Sequence, residues 1–558
     1  MLAGAAGAGA DARLEKLGDE FIDRMLVTRP HLATRLGIHS YDSRLAEVSA
    51  ATIDRDVAWF REFRPRVEEV DSTRLDLDHR LDRRALLSRI DAELVTLTVL
   101  DAWRRDPTRY TAIVAGSIQS LIQRRFASPC SRLLSTARRL RQVPEVLRAA
   151  RVLIEHPSRP ATEAAIRQME GTLRLYREGV RDGLAGCSEG LFQGDLAEAD
   201  TMAIRAVEEF IGYLRTGVLP QADSAFALGA DAYALKLRYE EMEATPVESL
   251  LARGERELEA SHARVIALAG YVAPGGSLAA AFDSLHARVP DAETLVPFVS
   301  DGLNRIHAFL LKEELLTLPR KAALAVRETP PFQRGTSFAS MDAAGVWEHG
   351  ARDSWYNVLP ADPAWSEADR RDHLEAFNRW SVDIITIHEA LPGHYYQSLA
   401  TARLGSRLRQ FLTTGSNVEG WAHYCELMMI EQGFGADDAR YAFAQELATL
   451  QRLGRFVAGL SMHTRGMTVE EATRLFEERC FLEPVNAARE ARRGATDPTY
   501  IVYTLGRWRI LDLREEVRRR LGRRFRLDRF HDALLEAGPG PLPLVRERVL
   551  ARLAPEKR

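Results

Sequence analysis

Apolar residues recur at three- and four-residue spacing from about Asp11 to Gly270, interrupted by short Pro, Gly and Asp punctuation. Leu14-Leu17-Phe21-Ile22-Met25-Leu26 is one such stripe and Leu81-Leu86-Leu87-Ile90-Leu94-Leu97 another; this is the period of helices that bury one face. Thr245-Pro246-Val247-Glu248 reads as a helix start, with a cap, a proline at the first helical position and a glutamate in the first turn. Between about Pro319 and Pro360 the pattern changes. Ala322-Ala323-Leu324-Ala325-Val326-Arg327 and Trp355-Tyr356-Asn357-Val358-Leu359 are short runs among Thr329-Pro330-Pro331, Gly335, Gly345 and Gly350, which predicts a small sheet. From about Ser366 a long amphipathic helix is expected. Another is expected to begin near Asn417, capped by Asn417 or Ser416, and Met467-Thr468-Val469-Glu470-Glu471 opens a further one with a capping box. No repeat of fixed period is present.

Composition narrows the classes of function. The chain has 558 residues, 46% hydrophobic and 28% charged, enough to bury a large core as an ordinary globular protein. A formal net charge of −3 predicts no general attraction to nucleic acid or to an anionic membrane. The basic cluster Arg518-Arg519-Arg520 sits among Glu515-Glu516 and apolar residues, as on a solvated helix face. Cysteines 130, 187, 425 and 480 are spread too widely for a disulfide framework or a thiolate metal site, which points to reducing cytosol. Met1 to Ala10 is small-residue filler without a basic start or a large apolar run, and no stretch is apolar enough to span a bilayer. The expected location is cytoplasmic, with an exported form if the true start lies upstream.

The chemistry concentrates in Ile387-His388-Glu389-Ala390-Leu391-Pro392-Gly393-His394-Tyr395. Neutral imidazole is a favoured zinc ligand, and a carboxylate beside the first ligand can take a proton from an activated water. In H-E-x-x-H the histidines stand four apart and share a helix face; here they stand six apart, and a straight helix would splay them by about 120°. Pro392 cannot donate to the His388 carbonyl and Gly393 tolerates unusual backbone, so the pair is expected to open the helix and return His394 to the His388 side. Otherwise the helix simply stops at Leu391 and the histidines are unrelated. Asn417-Val418-Glu419-Gly420-Trp421-Ala422-His423-Tyr424-Cys425-Glu426 supplies a third ligand in Glu419. Two histidines and a glutamate leave an open position for water on zinc, as catalysis needs. Glu419, His423 and Glu426, spaced along one face, form an alternative ligand set, with His423 otherwise orienting a ligand.

The helix with H-E-x-x-P-G-H followed by E-G-W-A-x-Y-x-E resembles the bacterial domain-of-unknown-function 885 family. That family is in turn similar to the helical zinc peptidases of the thimet oligopeptidase, angiotensin-converting enzyme and carboxypeptidase Taq type. The resemblance covers most of the chain, with specific motifs from about Pro330 to Arg514, and the Pro-Gly insertion is its departure. It implies one Zn2+ held by His388, His394 and Glu419, with Glu389 as general base. It also implies an edge strand along the site, with Asn357 and Tyr356 facing a peptide substrate, unless the sheet merely packs on the helices. Tyr503, which begins a Y-x-x-G pattern, is the implied oxyanion donor in preference to Tyr500. His463 is a further catalytic candidate, although a histidine at a helix end also serves as a structural cap and Gly459 stands where family members carry aspartate. Arg507 and Arg514 are candidate anchors for a substrate carboxylate.

The expected fold is mainly α, a large helical cleft-bearing fold with a small β-sheet next to the metal-binding helices. Residues 1–320 would form one wall and 321–558 would carry the site, in one integrated unit. The expected function is a zinc metallopeptidase acting on short peptides. A metal-binding scaffold or sensor without turnover, and a zinc amidase or esterase, are the alternatives.

Overall fold

Every apolar residue of the stripe from Leu14 to Leu26 is buried, on the helix Leu2–Thr28. In the second stripe, on Leu77–Thr98, Leu81, Leu86, Ile90 and Leu97 are buried. The computed structural model describes residues 2–318, 324–330, 334, 338–350 and 352–554, with side chains from Gly9 on. Ala322, Ala323, Pro331 and Gly335 of the predicted strand region lie outside the described residues. The fold is mainly helical with a three-stranded sheet. No helix among the described residues is long and apolar enough to cross a membrane.

Packing divides the chain into two compact units: Met1–Leu228 with Pro330–Gly335 and Ala344–Arg352, and Gly229–Thr329 with Thr336–Ala343 and Asp353–Arg558. The divide falls at Leu228 and not near residue 320. Helix Val247–Val272 belongs with the second unit because it packs on Ala439–Thr464, where Gly254 meets Phe456 so closely that a Cβ would stand 2.7 Å from the ring.

The first unit is built on a core that includes Tyr110, Val114, Leu133, Leu140, Val207 and Phe210. It also corrects the cysteine expectation: Cys130 and Cys187 are joined by a disulfide, with Cα atoms 4.8 Å apart. Their 57-residue separation in sequence does not measure distance in space. The chain leaves along Pro129–Leu153 and comes back through later helices. Cys425 and Cys480 are free and buried.

In the second unit, β1 (Leu324–Glu328) runs parallel and β2 (Ala339–Asp342) antiparallel to β3 (Ser354–Val358), in the order β1-β3-β2. The Trp355 to Leu359 run is therefore centred on the middle strand and not on an edge. Its Tyr356 and Val358 pack with Leu295, Val299, Phe377 and Val382, which fixes the sheet against the helices Leu295–Glu313 and Arg379–Glu389. The edge strand on the other side is β2, which the alternation of its residues did not reveal.

The long helix predicted from Ser366 is two helices. Ser366 caps Glu367–Ala376, and Asn378 restarts the chain by accepting the Ser381 amide at 3.0 Å, giving Arg379–Glu389. Between them Phe377 turns into the core and stacks on Phe338. Two other helix starts differ from expectation. At Val247–Val272 the cap position is Pro246, and the Thr245 amide donates instead to Glu243. Gly415–Glu431 begins two residues before Asn417, and its first amides, Gly415 and Ser416, donate to the buried Glu241 carboxylate at 3.2 and 3.1 Å. Thr468 and Glu471 form the capping box predicted for Val469–Cys480.

Candidate metal centre

The His388 helix stops at Glu389, as a proline three residues on requires, and a new helix begins at His394. The Leu391–Pro392 peptide is cis. Gly393 is held against the preceding turn: its amide donates to the Ile387 carbonyl at 3.0 Å, and a Cβ there would lie 1.8 Å from the His388 oxygen. No other residue fits. The turn brings the two imidazoles together edge to face, with ring centroids 4.7 Å apart.

Glu419 completes the group. Its Oε2 stands 3.5 Å from His388 Nε2 and 3.5 Å from His394 Nε2, and one ligand atom from each residue lies within 4.8 Å of the others. Donors about 2.1 Å from a tetrahedrally held zinc ion stand about 3.4 Å from one another, so the set fits such an ion. Trp421 ties the two motifs directly, donating its indole N–H to the Pro392 carbonyl at 2.9 Å. The alternative set is not assembled. Glu426 is wholly buried and faces the other way, meeting His388 Nδ1 at 2.7 Å, His423 Nδ1 at 3.2 Å and Arg452 at 2.8 Å.

Glu426 thus accepts the Nδ1–H of His388, which turns Nε2 toward the position it shares with His394 and Glu419. In the alternative ligand set Glu426 was a ligand; its seven-residue spacing from Glu419 puts it on the same side of the helix but does not show that it meets His388 at Nδ1. The electrostatics match a site built for a cation. Burial opposes a charge on His388, yet the Glu419 and Glu426 carboxylates raise its pKa to about 9. Against the same burial, His388 and His394 hold the Glu419 carboxyl well below its usual range.

Glu389 stands apart from the ligand group. Its Oε2 accepts the Met341 amide of β2 at 3.0 Å, so the edge strand orients it. Met341 was not singled out from sequence, because a backbone donor leaves no residue signature. Tyr503, partly exposed, stacks beside His388 with centroids 6.3 Å apart. Its position depends on a helix contact: a Cβ on Gly420 would fall 2.4 Å from Gly506 Cα, and one on Gly506 would fall 1.7 Å from the Ser416 carbonyl. The glycines of the E-G-W-A and Y-x-x-G patterns therefore let the Glu419 and Tyr503 helices touch.

Six expected residues are engaged elsewhere. Tyr356 is fully buried with its hydroxyl on Thr386, and Asn357 is buried accepting from Arg327; both lie on the central strand, which cannot present its backbone to a substrate. The Tyr500 hydroxyl donates to Glu490. Arg507 is buried against Thr449, and His463 is buried with Nε2 on the Gly494 carbonyl at 2.9 Å and its ring stacked on Tyr233. Burial lowers the His463 pKa. Arg514 is likewise held by Glu431.

These observations meet the comparisons with other proteins. The chain belongs to a family of bacterial proteins of unknown function, DUF885, whose model matches residues 30–549. Two solved structures share the fold. One is a presumed lipoprotein of unknown function from Shewanella oneidensis, 24% identical, with a TM-score of 0.81 over 96% of this chain and 99% of that one. The other is a presumed lipoprotein from Colwellia psychrerythraea, 17% identical, with a TM-score of 0.81 over 98% and 99%. No curated protein matches the chain.

Proposed function

We propose that this protein is a metal-dependent hydrolase of peptides, with His388, His394 and Glu419 as the ligands of one divalent ion, zinc by the chemistry of the donors. The observation that carries the reading is the convergence of those three side chains beside a carboxylate, Glu389, that is not one of them. A structural site is normally closed by four protein ligands and has no use for a base beside it. The sequence resemblance to helical zinc peptidases supports a peptide in place of another amide or ester.

A bound ion would supply Lewis acidity toward water and toward a carbonyl oxygen. Glu389 takes the proton of the attacking water as oxygen bonds to the carbonyl carbon. It delivers that proton to the amine nitrogen as the C–N bond breaks. Met341 holds the carboxylate in place throughout. Tyr503 donates its hydroxyl to the oxyanion.

The test separates ligation from proton transfer. Metal analysis of the purified protein is expected to find one ion, and Glu389→Gln is expected to keep it while cleavage of a peptide mixture, followed by mass spectrometry, falls about 10²–10⁴-fold. Undiminished cleavage by Glu389→Gln would remove the base from the reaction.

The same reading extends to location. A disulfide and two solved structures of presumed lipoproteins that share the fold support an exported form over a cytoplasmic one, because such bonds persist outside reducing cytosol.

A further inference from the structure

Three guanidiniums surround the Tyr503 ring. Arg452 and Arg455 lie over it at 5.8 and 5.5 Å, and Arg493 donates Nη2 to its phenol oxygen at 3.4 Å. Two of the three are committed. Arg452 meets Glu426 at 2.8 Å, and Arg455 grips both oxygens of Glu490 at 2.8 Å. Arg493 is held otherwise. The acidic oxygen it meets, Asp497 Oδ2, is 3.6 Å away, beyond good hydrogen-bond distance. The other oxygen of Asp497 is occupied by the Thr499 amide at 3.0 Å. The Arg493 side chain lies over the Tyr500 ring yet keeps 41% of its surface exposed. Among the arginines around Tyr503 it alone combines a weak partner with access.

We propose that Arg493 anchors the terminal carboxylate of a peptide whose scissile bond lies at the His388, His394 and Glu419 group. The substrate class is then peptides with a free C-terminus, cut one or two residues from the end. This inference rests on the peptide-hydrolase reading. A guanidinium fork matches a carboxylate with two parallel hydrogen bonds, a geometry an ammonium cannot offer. The reach is right. An oxyanion about 2.8 Å from the Tyr503 hydroxyl lies within roughly 6 Å of Arg493 Nη2, and one residue advances a chain by about 3.8 Å. The long contact from Arg493 to the Tyr503 oxygen leaves the phenol proton free for another acceptor, and in this proposal that acceptor is the developing oxyanion.

The experiment uses the full chain loaded with zinc and carrying Glu389→Gln, so that ligand is not consumed. Calorimetry measures its affinity for acetyl-Ala-Ala-Phe as the free acid and as the C-terminal amide. The acid is expected to bind at least about tenfold more tightly. Adding Arg493→Ala is expected to bring that ratio close to one, and Arg493→Lys to restore part of it. Circular dichroism and zinc content equal to the parent's tie the loss to the guanidinium; should Arg493→Ala lose its fold, Arg493→Gln decides by the same ratio. Equal affinity for acid and amide, binding of neither, or a preference that survives the loss of Arg493 overturns the anchor. Turnover of both peptides by the Glu389 protein is read separately. Hydrolysis without preference for the acid sinks the anchor and leaves the hydrolase standing. An acid preference in binding without hydrolysis does the reverse.

Discussion

At the scale of single residues, the side chains of the candidate centre face three ways. His388, His394 and Glu419 point donors at one position, Glu389 is turned to the β2 edge, and Glu426 holds His388 from behind. Glu426→Ala is expected to lower zinc affinity about 10–100-fold, measured by competition with a chelating dye. Unchanged affinity would show that the imidazole is oriented without it. The partly buried Glu490 offers a pH prediction independent of any metal. Burial works against its charge, but Arg455 holds its pKa near 2, below an ordinary glutamate. A carboxylate depressed in the folded state contributes stability that is present above about pH 4.5 and is lost as pH falls toward 2, on the order of 3 kcal/mol. Thermal melts of wild type and Glu490→Gln should therefore converge as the pH drops through that window.

At the scale of elements, what matters is which backbones can touch. The Glu419 and Tyr503 helices meet glycine to glycine, and the Glu419 helix is capped not by its own neighbours but by Glu241 from far upstream. Gly506→Ala puts a methyl group into the Ser416 carbonyl, and overpacking of this kind costs about 1–3 kcal/mol. The expected result is a lower melting temperature together with weakened zinc binding, because Tyr503 and Glu419 move with their helices. A variant that melts early yet binds zinc as well as wild type would confine the contact to stability. The edge strand β2 makes a similar link, since its Met341 amide reaches Glu389 while its other neighbour is β3.

At the scale of the whole molecule, the two packed units carry different kinds of constraint. The first holds the Cys130–Cys187 bond, and the second holds every residue of the candidate centre. Closing a loop of 57 residues stabilises the folded state by about 4 kcal/mol in the chain-entropy limit. Cys187→Ser is expected to lower the denaturant midpoint by a corresponding amount. Peptide mapping without reductant of protein purified from its native cell is expected to show the two cysteines joined; finding both as thiols would argue against an exported form.

Much of the site was legible from residue types and spacing. The histidine pair, the adjacent carboxylate and the distant glutamate carry their chemistry in their identities, and Pro392-Gly393 announces a break wherever it occurs. Helical periodicity likewise determined the fold class, because burial of one face depends only on the order of apolar residues. Tertiary structure alone decided which groups faced one another. Glu426 behind His388, Met341 on Glu389, Arg493 beside Tyr503 and Cys130 bonded to Cys187 each join positions whose distance in sequence says nothing of their distance in space. The same cause spends Tyr356, Asn357 and Arg507 on partners inside the protein. A side chain's type states what it can bond to, whereas packing decides whether that capacity is spent inside the protein or left for a ligand.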